Sequence, residues 1–223
     1  MGMKVILFGA TGMVGQGVLR ECLLDPAVEL VLAIGRTDTA QRHPKLVEIL
    51  HADFFDFTDI QEQLSGFDAC FFCLGISSAG MSETEYQRIT YGYTLAAAET
   101  LAPRNPDMTF IYVSGTGTDS SERGRVMWAR IKGKTENALL KLPFKAHYMM
   151  RPGFIQPMHG IQSKTRLYRT LYAVTAPLFP VWNALLPNYV TTTERVGRAM
   201  IRLAKDGAPK IVLENRDINA LSA

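Results

Sequence analysis

Three glycines at fixed spacing, directly after a short apolar segment, constrain this chain more than any other feature. Met3–Phe8 is an apolar run that predicts a buried strand, and Val14–Leu24 has the pattern of a helix. Between them the chain reads Gly9-Ala-Thr-Gly12-Met-Val-Gly15. A glycine turn between a strand and a helix leaves the first N–H groups of the helix open to an anion. The sequence therefore predicts a strand–turn–helix unit whose turn receives phosphate groups.

Apolar strands alternate with helices through the first two thirds of the chain. Further strands are expected at Glu29–Ile34, Leu46–Leu50, Ala69–Leu74, Met108–Val113 and His147–Met150. Helices are expected at Thr58–Leu64, Ser82–Leu101 and Arg123–Lys141. This order predicts the α/β class, with a doubly wound parallel sheet and helices on both faces. A length of 223 residues fits one such Rossmann domain.

The chain after residue 155 has a different character. We expect a cofactor-binding core over 1–155, a small substrate or lid region over 156–192, and a return to the core over 193–223 as a helix and a strand. Leu171–Pro187 contains no charged residue but three prolines, which would break a membrane-spanning helix. We favour a helical flap packed on the domain; a lid over an apolar substrate and a membrane-surface contact stay open.

Each residue of the glycine turn has an expected task in binding a dinucleotide. Gly9 permits the tight turn, Gly12 allows the backbone to approach the pyrophosphate, and Gly15 lets helix and strand pack closely. Thr11, Met13 and Val14 complete the predicted phosphate-binding set.

The end of the second strand indicates which dinucleotide is bound. NAD-binding proteins of this fold usually place an acidic residue there to hold the ribose 2′-OH, whereas this chain has Arg36. A guanidinium can pair with a 2′-phosphate through two hydrogen bonds. We therefore expect NADP(H) to be preferred over NAD(H).

Further segments resemble those of the atypical short-chain dehydrogenases/reductases. His51-Ala-Asp53, followed by Phe54, resembles the adenine-contacting segment of that superfamily, and Cys73-Leu74-Gly75 resembles its cofactor-lining fourth strand end. The resemblance implies that Ser114 and Lys132 are the catalytic serine and lysine, with Lys132 also on the nicotinamide ribose. It also implies that Pro152, within Arg151-Pro-Gly153, borders the nicotinamide.

Within the superfamily, the chain is most similar to the Tat-interacting-protein oxidoreductase branch, near the NmrA-like proteins. The residues that carry this similarity are Tyr93, the segment Lys132-Gly-Lys-Thr-Glu136 and the tail Leu213–Asn219. The resemblance covers essentially the whole chain, and the first 155 residues are its more specific part.

The chain departs from the superfamily at the proton-transferring residue. The family pattern is Tyr-x-x-x-Lys, but this sequence has Trp128 four residues before Lys132, and Thr90 stands near the place of the family asparagine. An indole N–H cannot act as a general acid. Substitute proton donors are sought among Tyr91, Tyr148, Tyr168 and His159.

Two functions are therefore expected. The first is an NADP-dependent oxidoreductase that reduces or epimerises a small, partly apolar carbonyl compound. The second is an NADP(H)-binding redox sensor or regulator without turnover, which the substitution at Trp128 favours.

Composition excludes several other classes. The net charge of +3 is small and dispersed, so no nucleic-acid partner is expected. The three cysteines do not suit a secreted disulfide scaffold, and the four histidines have no metal-ligand spacing, so no metal is expected. No signal peptide or transmembrane segment is visible, and we expect a cytoplasmic monomer or homodimer.

Overall fold

A seven-stranded sheet, all parallel, forms the centre of the computed structural model, which describes residues 2–161, 186 and 188–223. The strand order is β3-β2-β1-β4-β5-β6-β9. The strands are β1 (Met3–Phe8), β2 (Val28–Gly35), β3 (Leu46–Leu50), β4 (Ala69–Phe72), β5 (Thr109–Val113), β6 (Ala146–Arg151) and β9 (Val212–Glu214). This is the doubly wound Rossmann order, which reverses direction between β1 and β4. The predicted fold class is confirmed.

The central strands are buried on both faces because helices cover the sheet from both sides. Every residue of β4 is buried, and alternate side chains enter two separate cores. Phe71 lies in one core with Val5 and Ile111, whereas Phe72 lies in the other with Phe8. Near-continuous apolar runs are the pattern expected of such strands.

Six α-helices are present among the described residues, and all but the last lie in segments where the sequence indicates a helix. They are α1 (Met13–Leu24), α2 (Glu83–Gln87), α3 (Thr94–Leu101), α4 (Met127–Leu139), α5 (Thr193–Asp206) and α6 (Asn215–Leu221). A capping box between Ser82 and Glu85 starts α2, since each residue's side chain accepts a hydrogen bond from the other's backbone N–H. A π-helical stretch at Arg88–Tyr93 joins α2 to α3.

In the first two thirds of the chain, three expected elements start or end two or more residues from their expected bounds. The helix predicted over Thr58–Leu64 is a 3-10 helix over Gln61–Leu64 only. The helix predicted from Arg123 starts only at Met127, because Asp119 holds the preceding loop. The Asp119 carboxylate accepts hydrogen bonds from the N–H groups of Ser121 (3.0 Å) and Gly124 (2.6 Å). The fourth strand ends at Phe72 rather than Leu74, so the chain turns away from the sheet two residues earlier than expected.

Helix α1 packs closely against α5, the helix after the uncharged segment. A Cβ atom at Gly17 would lie 2.5 Å from Thr193 Cβ, and one at Gly197 would lie 2.8 Å from Glu21 Cγ. The buried Glu21 also accepts a 3.1 Å bond from Arg198 Nε across this contact. The helix that follows the glycine turn is therefore held in place by residues near the end of the chain.

A second, two-stranded parallel sheet joins β7 (Phe154–Gln156) to β8 (Val190–Thr192). Asn215, the first residue of α6, ties this sheet to the main one. Its side chain accepts a bond from Gly153 N–H at 2.9 Å and donates one to Val190 O at 3.0 Å. The sequence predicted neither this sheet nor α6.

The expected division into 1–155, 156–192 and 193–223 stays a prediction. The uncharged segment 171–187 lies outside the described residues, apart from Leu186. In the part of the chain that the structure describes, no helix is long and apolar enough to cross a membrane. All three cysteines are free thiols, and Cys70 and Cys73 pack against opposite faces of the sheet.

Candidate functional site

The glycine turn lies at the carboxyl end of β1, where the strand order reverses. Gly9 has a positive φ of 82°, and a Cβ atom there would lie 2.7 Å from Leu74 N, so only glycine suits the position. The turn closes through a 2.9 Å bond from Gly12 N–H to Gly9 O. Gln16 reinforces it by donating from Nε2 to Thr11 O at 3.1 Å.

Helix α1 starts directly after the turn and presents its amino end to the open edge of the sheet. Gly12 is the N-cap and supplies no capping side chain, and the first turn contains no acidic residue. The N–H groups of Met13, Val14 and Gly15 have no acceptor among the described residues. A Cβ atom at Gly15 would lie 2.0 Å from Gly9 O, which explains the third glycine. Uncapped N–H groups and the helix dipole together suit an anionic ligand.

Two adjoining pockets flank the helix start, and Leu74 lines both. The Arg36 pocket, about 220 Å³, is lined by Gly9, Ala10, Thr11, Ala33, Ile34, Gly35, Arg36, Thr37, Thr39, Glu48, Ile49, Leu50, Phe54 and Leu74. The Lys132 pocket, about 450 Å³, is lined by Gly12, Met13, Val14, Cys73, Leu74, Gly75, Ile76, Val113, Ser114, Gly115, Thr116, Lys132, Pro152, Gly153 and Ile155. A Cβ atom at Gly75 would meet nothing within 4 Å, so this glycine leaves space open.

The structure brings nearly all the predicted site residues to this groove. Only Gly15 and Asp53 line neither pocket. Gly15 acts through packing, as described above. The Asp53 carboxylate accepts a 2.9 Å bond from Phe55 N–H and helps to hold the turn that buries Phe54. The cofactor contact expected of Asp53 stays a prediction.

Positive charge marks one end of the groove. Arg36 is exposed at the rim of its pocket, and its guanidinium has no hydrogen-bond or ion-pair partner among the described residues. Two other cations on the loop between β2 and β3 are already engaged. Lys45 Nζ donates to Asp25 O at 2.7 Å, at the far end of α1. Arg42 is paired with Asp38 and Glu48.

Lys132 lies on α4 and lines the other pocket. Its Nζ donates a short hydrogen bond to the backbone oxygen of Ser114. Burial lowers the pKa of Lys132 to about 8, although nearby Glu136 opposes this shift. Cys73, the other ionisable residue among the described residues that line this pocket, has its thiol pKa raised far above the ordinary value by burial. Lys132 is thus the group of this pocket that changes charge near neutral pH.

The Ser114 hydroxyl is engaged by a carboxylate that the sequence did not single out as functional. Ser114 Oγ donates to Glu136 Oε1 at 2.6 Å and lies 3.1 Å from Met150 O. Glu136 is only 1% exposed, and Arg151 compensates its charge through a 3.1 Å bond from Nε and a second one from Nη2. Arg151 extends this network to Glu214 at 3.5 Å. The spacing of four from Lys132 to Glu136, one helical turn, was the available sequence signal.

Trp128 occupies the position where the superfamily has its tyrosine, one turn before Lys132 on α4. A Cβ atom at Gly117 would lie 3.6 Å from the Trp128 ring, so the indole packs beside the loop that follows β5. Trp128 is not among the residues that line the Lys132 pocket.

Three of the four substitute proton donors considered from the sequence are engaged elsewhere. Lys134 Nζ lies 5.0 Å from the Tyr91 ring centroid, Tyr148 Oη exchanges bonds with the backbone of Ala208, and His159 Nε2 lies 2.9 Å from Glu194 Oε2. Tyr168 lies outside the described residues. Neither Tyr91, Tyr148 nor His159 lines the Lys132 pocket.

A glycine turn at the switch point of a parallel sheet, an uncapped helix start and a groove across the strand ends define a Rossmann-type dinucleotide-binding protein. A family model described as NAD(P)H-binding matches residues 9–149. The chain belongs to this NAD(P)H-binding family, within the atypical short-chain dehydrogenase/reductase superfamily.

Curated relatives span the chain. It is 26% identical over 230 residues to the mitochondrial protein FMP52-2 of Scheffersomyces stipitis, covering 100% of this chain and 96% of that protein. It is 27% identical over 155 residues to rat HTATIP2, covering 68% of this chain and 62% of that protein. These relatives agree with the branch that the sequence resembles.

Solved structures share the fold. WbmF of Bordetella bronchiseptica, solved with NAD⁺, superposes with a TM-score of 0.67 at 15% identity, covering 98% of this chain and 77% of that one. A short-chain dehydrogenase/reductase of Saccharomyces cerevisiae, YIR035C, gives a TM-score of 0.64 at 13% identity, covering 99% and 98%.

The expected cytoplasmic localisation is wrong. FMP52-2 and four further similar proteins, from Candida albicans, Debaryomyces hansenii, Emericella nidulans and Meyerozyma guilliermondii, are all named as mitochondrial. The lack of a visible secretory signal, on which that expectation rested, bears on export and not on an organelle.

Proposed function

We propose that this chain is an oxidoreductase that binds NADP(H) along the groove from the Arg36 pocket to the Lys132 pocket. The observation that carries the proposal is the guanidinium of Arg36, which has no partner in the described part of the chain and lies at one end of a groove with an uncapped helix start at its centre. A 2′-phosphate carries negative charge with which Arg36 can form an ion pair, whereas a 2′-OH is neutral and cannot.

Different residues of the groove bind different parts of the dinucleotide. The N–H groups of Met13 and Val14 bind the pyrophosphate, and Phe54 lies beneath the adenosine end. Lys132 binds the nicotinamide ribose, and Pro152 borders the ring. When bound, NADP(H) supplies the hydride chemistry.

The substrate that we propose is a small, partly apolar carbonyl compound, which is reduced or epimerised. Ile76, Val113 and Ile155 give the Lys132 pocket an apolar wall, and Lys132 is its ionisable group near neutral pH. An ammonium beside an apolar wall can orient a carbonyl oxygen while the apolar groups exclude water.

A second candidate is an NADP(H)-binding redox sensor without turnover. Two observations favour it: Trp128 replaces the proton-transferring tyrosine, and the hydroxyl proton of Ser114 is donated to Glu136 instead of the pocket. The sensor and the enzyme share the cofactor site and differ in whether NADPH is consumed with a carbonyl compound.

We also propose a mitochondrial location, because the FMP52 relatives carry that designation in their names. Fractionation of cells that express the full chain tests it: the protein is expected with the mitochondrial marker. Recovery in the cytosolic fraction alone overturns this proposal and leaves the cofactor proposal untouched.

A fluorescence titration with NADPH and NADH, run side by side, tests the cofactor proposal. We expect NADPH to bind at least tenfold more tightly, because charge-assisted hydrogen bonds contribute about 1.5–3 kcal/mol. Arg36→Asp is expected to reverse the order. Arg202→Ala, on the exposed side of α5, is the matched control and is expected to leave both affinities unchanged. Equal binding of the two dinucleotides by the wild type overturns the preference for NADP(H).

A further inference from the structure

The Arg36 pocket contains a carboxylate as well as a cation. Glu48 lies on β3, beside Ala33 of β2, and its side chain is 17% exposed. It is the one acidic residue among the described residues that line this pocket. A bare carboxylate in an adenosine pocket accepts a hydrogen bond from a ribose 2′-OH and repels a 2′-phosphate, so it favours NAD(H). Glu48 therefore opposes the effect of Arg36.

Both carboxylate oxygens of Glu48 are already engaged. Oε1 accepts a 2.9 Å bond from Thr39 N–H, and Oε2 lies 3.4 Å from Arg42 Nη1. Arg42 is itself held by two further acceptors, since Nη2 donates to Asp38 Oδ2 at 3.2 Å and Nη1 to Gln41 O at 2.8 Å. The loop between β2 and β3 thus folds an arginine back onto the acidic residue of the pocket.

We propose that Arg42 determines the coenzyme preference of this pocket by neutralising Glu48. The inference rests on the proposed function, because it concerns the same cofactor site, and it assigns the preference to a pair of residues in addition to Arg36. In this arrangement Arg36 meets the 2′-phosphate, and Arg42 prevents Glu48 from repelling it. Arg42 is a positioning residue here, since it acts through Glu48.

The expected effect is moderate because Arg42 is exposed. Its side chain is 77% exposed, so solvent and salt screen its charge. Removing Arg42 leaves Glu48, a lining residue of the pocket, with an uncompensated charge and with Oε2 free of its partner. We expect the ratio of NADPH affinity to NADH affinity to fall about 5- to 30-fold in low salt, with most of the change on the NADPH side.

Four proteins distinguish neutralisation of Glu48 by Arg42 from a direct contact of Arg42 with the 2′-phosphate. They are the wild type, Arg42→Ala, Glu48→Gln and the double variant. Each is titrated with NADPH and with NADH at about 50 mM salt, after a thermal melt has verified folding. Arg42→Ala is expected to lower the affinity ratio, and Glu48→Gln to keep it or raise it. The double variant is expected to recover the wild-type ratio, because the amide no longer repels the phosphate. Arg202→Ala is again the control for loss of a surface arginine.

Two results overturn the inference. An unchanged ratio in Arg42→Ala shows that Glu48 does not affect the phosphate. A ratio that stays low in the double variant shows that Arg42 contacts the phosphate itself. The wild-type ratio tests a different statement: a value near one overturns the proposed NADP(H) preference, while a fall in Arg42→Ala from that value still supports the role of Arg42. If the wild type binds neither dinucleotide, both proposals fall.

Discussion

Ser114 Oγ donates a 2.6 Å hydrogen bond to Glu136 Oε1, and the carbonyl oxygen of the same serine accepts a bond from Lys132. A serine hydroxyl has one proton, so this serine offers the pocket only its lone pairs. A carbonyl compound in the pocket needs a donor, and Lys132 is the side chain placed to supply it. The roles that the superfamily gives to serine and tyrosine thus fall to the lysine in the proposed enzyme.

Loss of the Ser114 hydroxyl is expected to destabilise the fold. Ser114→Ala removes a hydrogen-bond donor from a carboxylate that is 1% exposed. We expect the free energy of unfolding to fall by about 1.5–3 kcal/mol, which is the contribution of a hydrogen bond to a charged group, while Arg151 still binds Glu136. Urea unfolding measures it. Thr116→Ala, which removes an exposed hydroxyl bonded to Arg151 O, is the control and is expected to cost less than about 0.5 kcal/mol. Equal stability of Ser114→Ala and the wild type contradicts the bond.

Substitutions at two glycines of the same turn are expected to have different effects on binding and on stability. At Gly12 a Cβ atom would approach only Gly9 O, at 3.3 Å, whereas at Gly15 it would lie 2.0 Å from that atom. Gly12→Val is therefore expected to block the pyrophosphate and abolish NADPH binding, with the thermal midpoint within a few degrees of the wild type. Gly15→Ala is expected to lower the midpoint clearly, because α1 must move. NADPH titration and melting curves of both variants test this contrast, and undiminished binding by Gly12→Val would refute the phosphate site.

Cofactor binding is expected to weaken as the pH rises through about 8. The pKa of Lys132 is lowered to about 8, so the free protein has a charged Lys132 below that pH and a neutral one above it. An anionic dinucleotide raises this pKa on binding, so its affinity is constant below pH 8 and falls above it. We expect about a fivefold loss between pH 7 and 9.

Substitutions at two neighbouring lysines test that assignment. Lys132→Arg stays charged throughout this range, and its affinity is expected to be independent of pH. Lys134→Arg alters a lysine that lies over the Tyr91 ring and is expected to keep the wild-type profile. Identical profiles for the wild type and Lys132→Arg would show that another group titrates.

Restoring the tyrosine separates the enzyme from the sensor. Trp128→Tyr places a phenol one helical turn before Lys132, where general acid catalysis contributes about 10²–10⁴-fold in rate. We expect NADPH consumption on a panel of small ketones and aldehydes to increase in the variant, with Trp128→Phe as the control. Consumption by the wild type on the same panel would exclude the sensor, and a Trp128→Tyr variant as slow as Trp128→Phe would show that position 128 does not face the reaction.

The sequence predicted the parts of the molecule that local patterns determine. Apolar runs predicted the central strands, and the glycine spacing predicted the turn, because both depend on neighbours in the chain. Cys73, Leu74 and Gly75 were placed correctly at the groove even though β4 ends at Phe72, since the carboxyl end of a parallel strand marks the ligand edge whatever its last residue.

Features that depend on distant partners were missed. Glu136 gains its importance from Ser114, directly after β5, and from Arg151, the last residue of β6. No residue near Glu136 in the chain indicates that pairing. The start of α4 was placed too early because the Asp119 side chain holds residues up to Gly124 in a loop. Strands β7 and β8 are only three residues each and pair across a gap of more than thirty residues, which no periodicity can show.

Gly17 meets Thr193, and Gly197 meets Glu21, so the helix that carries the phosphate turn rests on one almost 180 residues further along the chain. During synthesis the glycine motif leaves the ribosome well before its supporting helix, α5. The dinucleotide site is therefore completed only after α5 has been made. A nascent or shortened chain without α5 has the glycine motif but lacks the helix that holds α1 in place. Dinucleotide binding thus reports that the chain has been made and folded at least as far as α5.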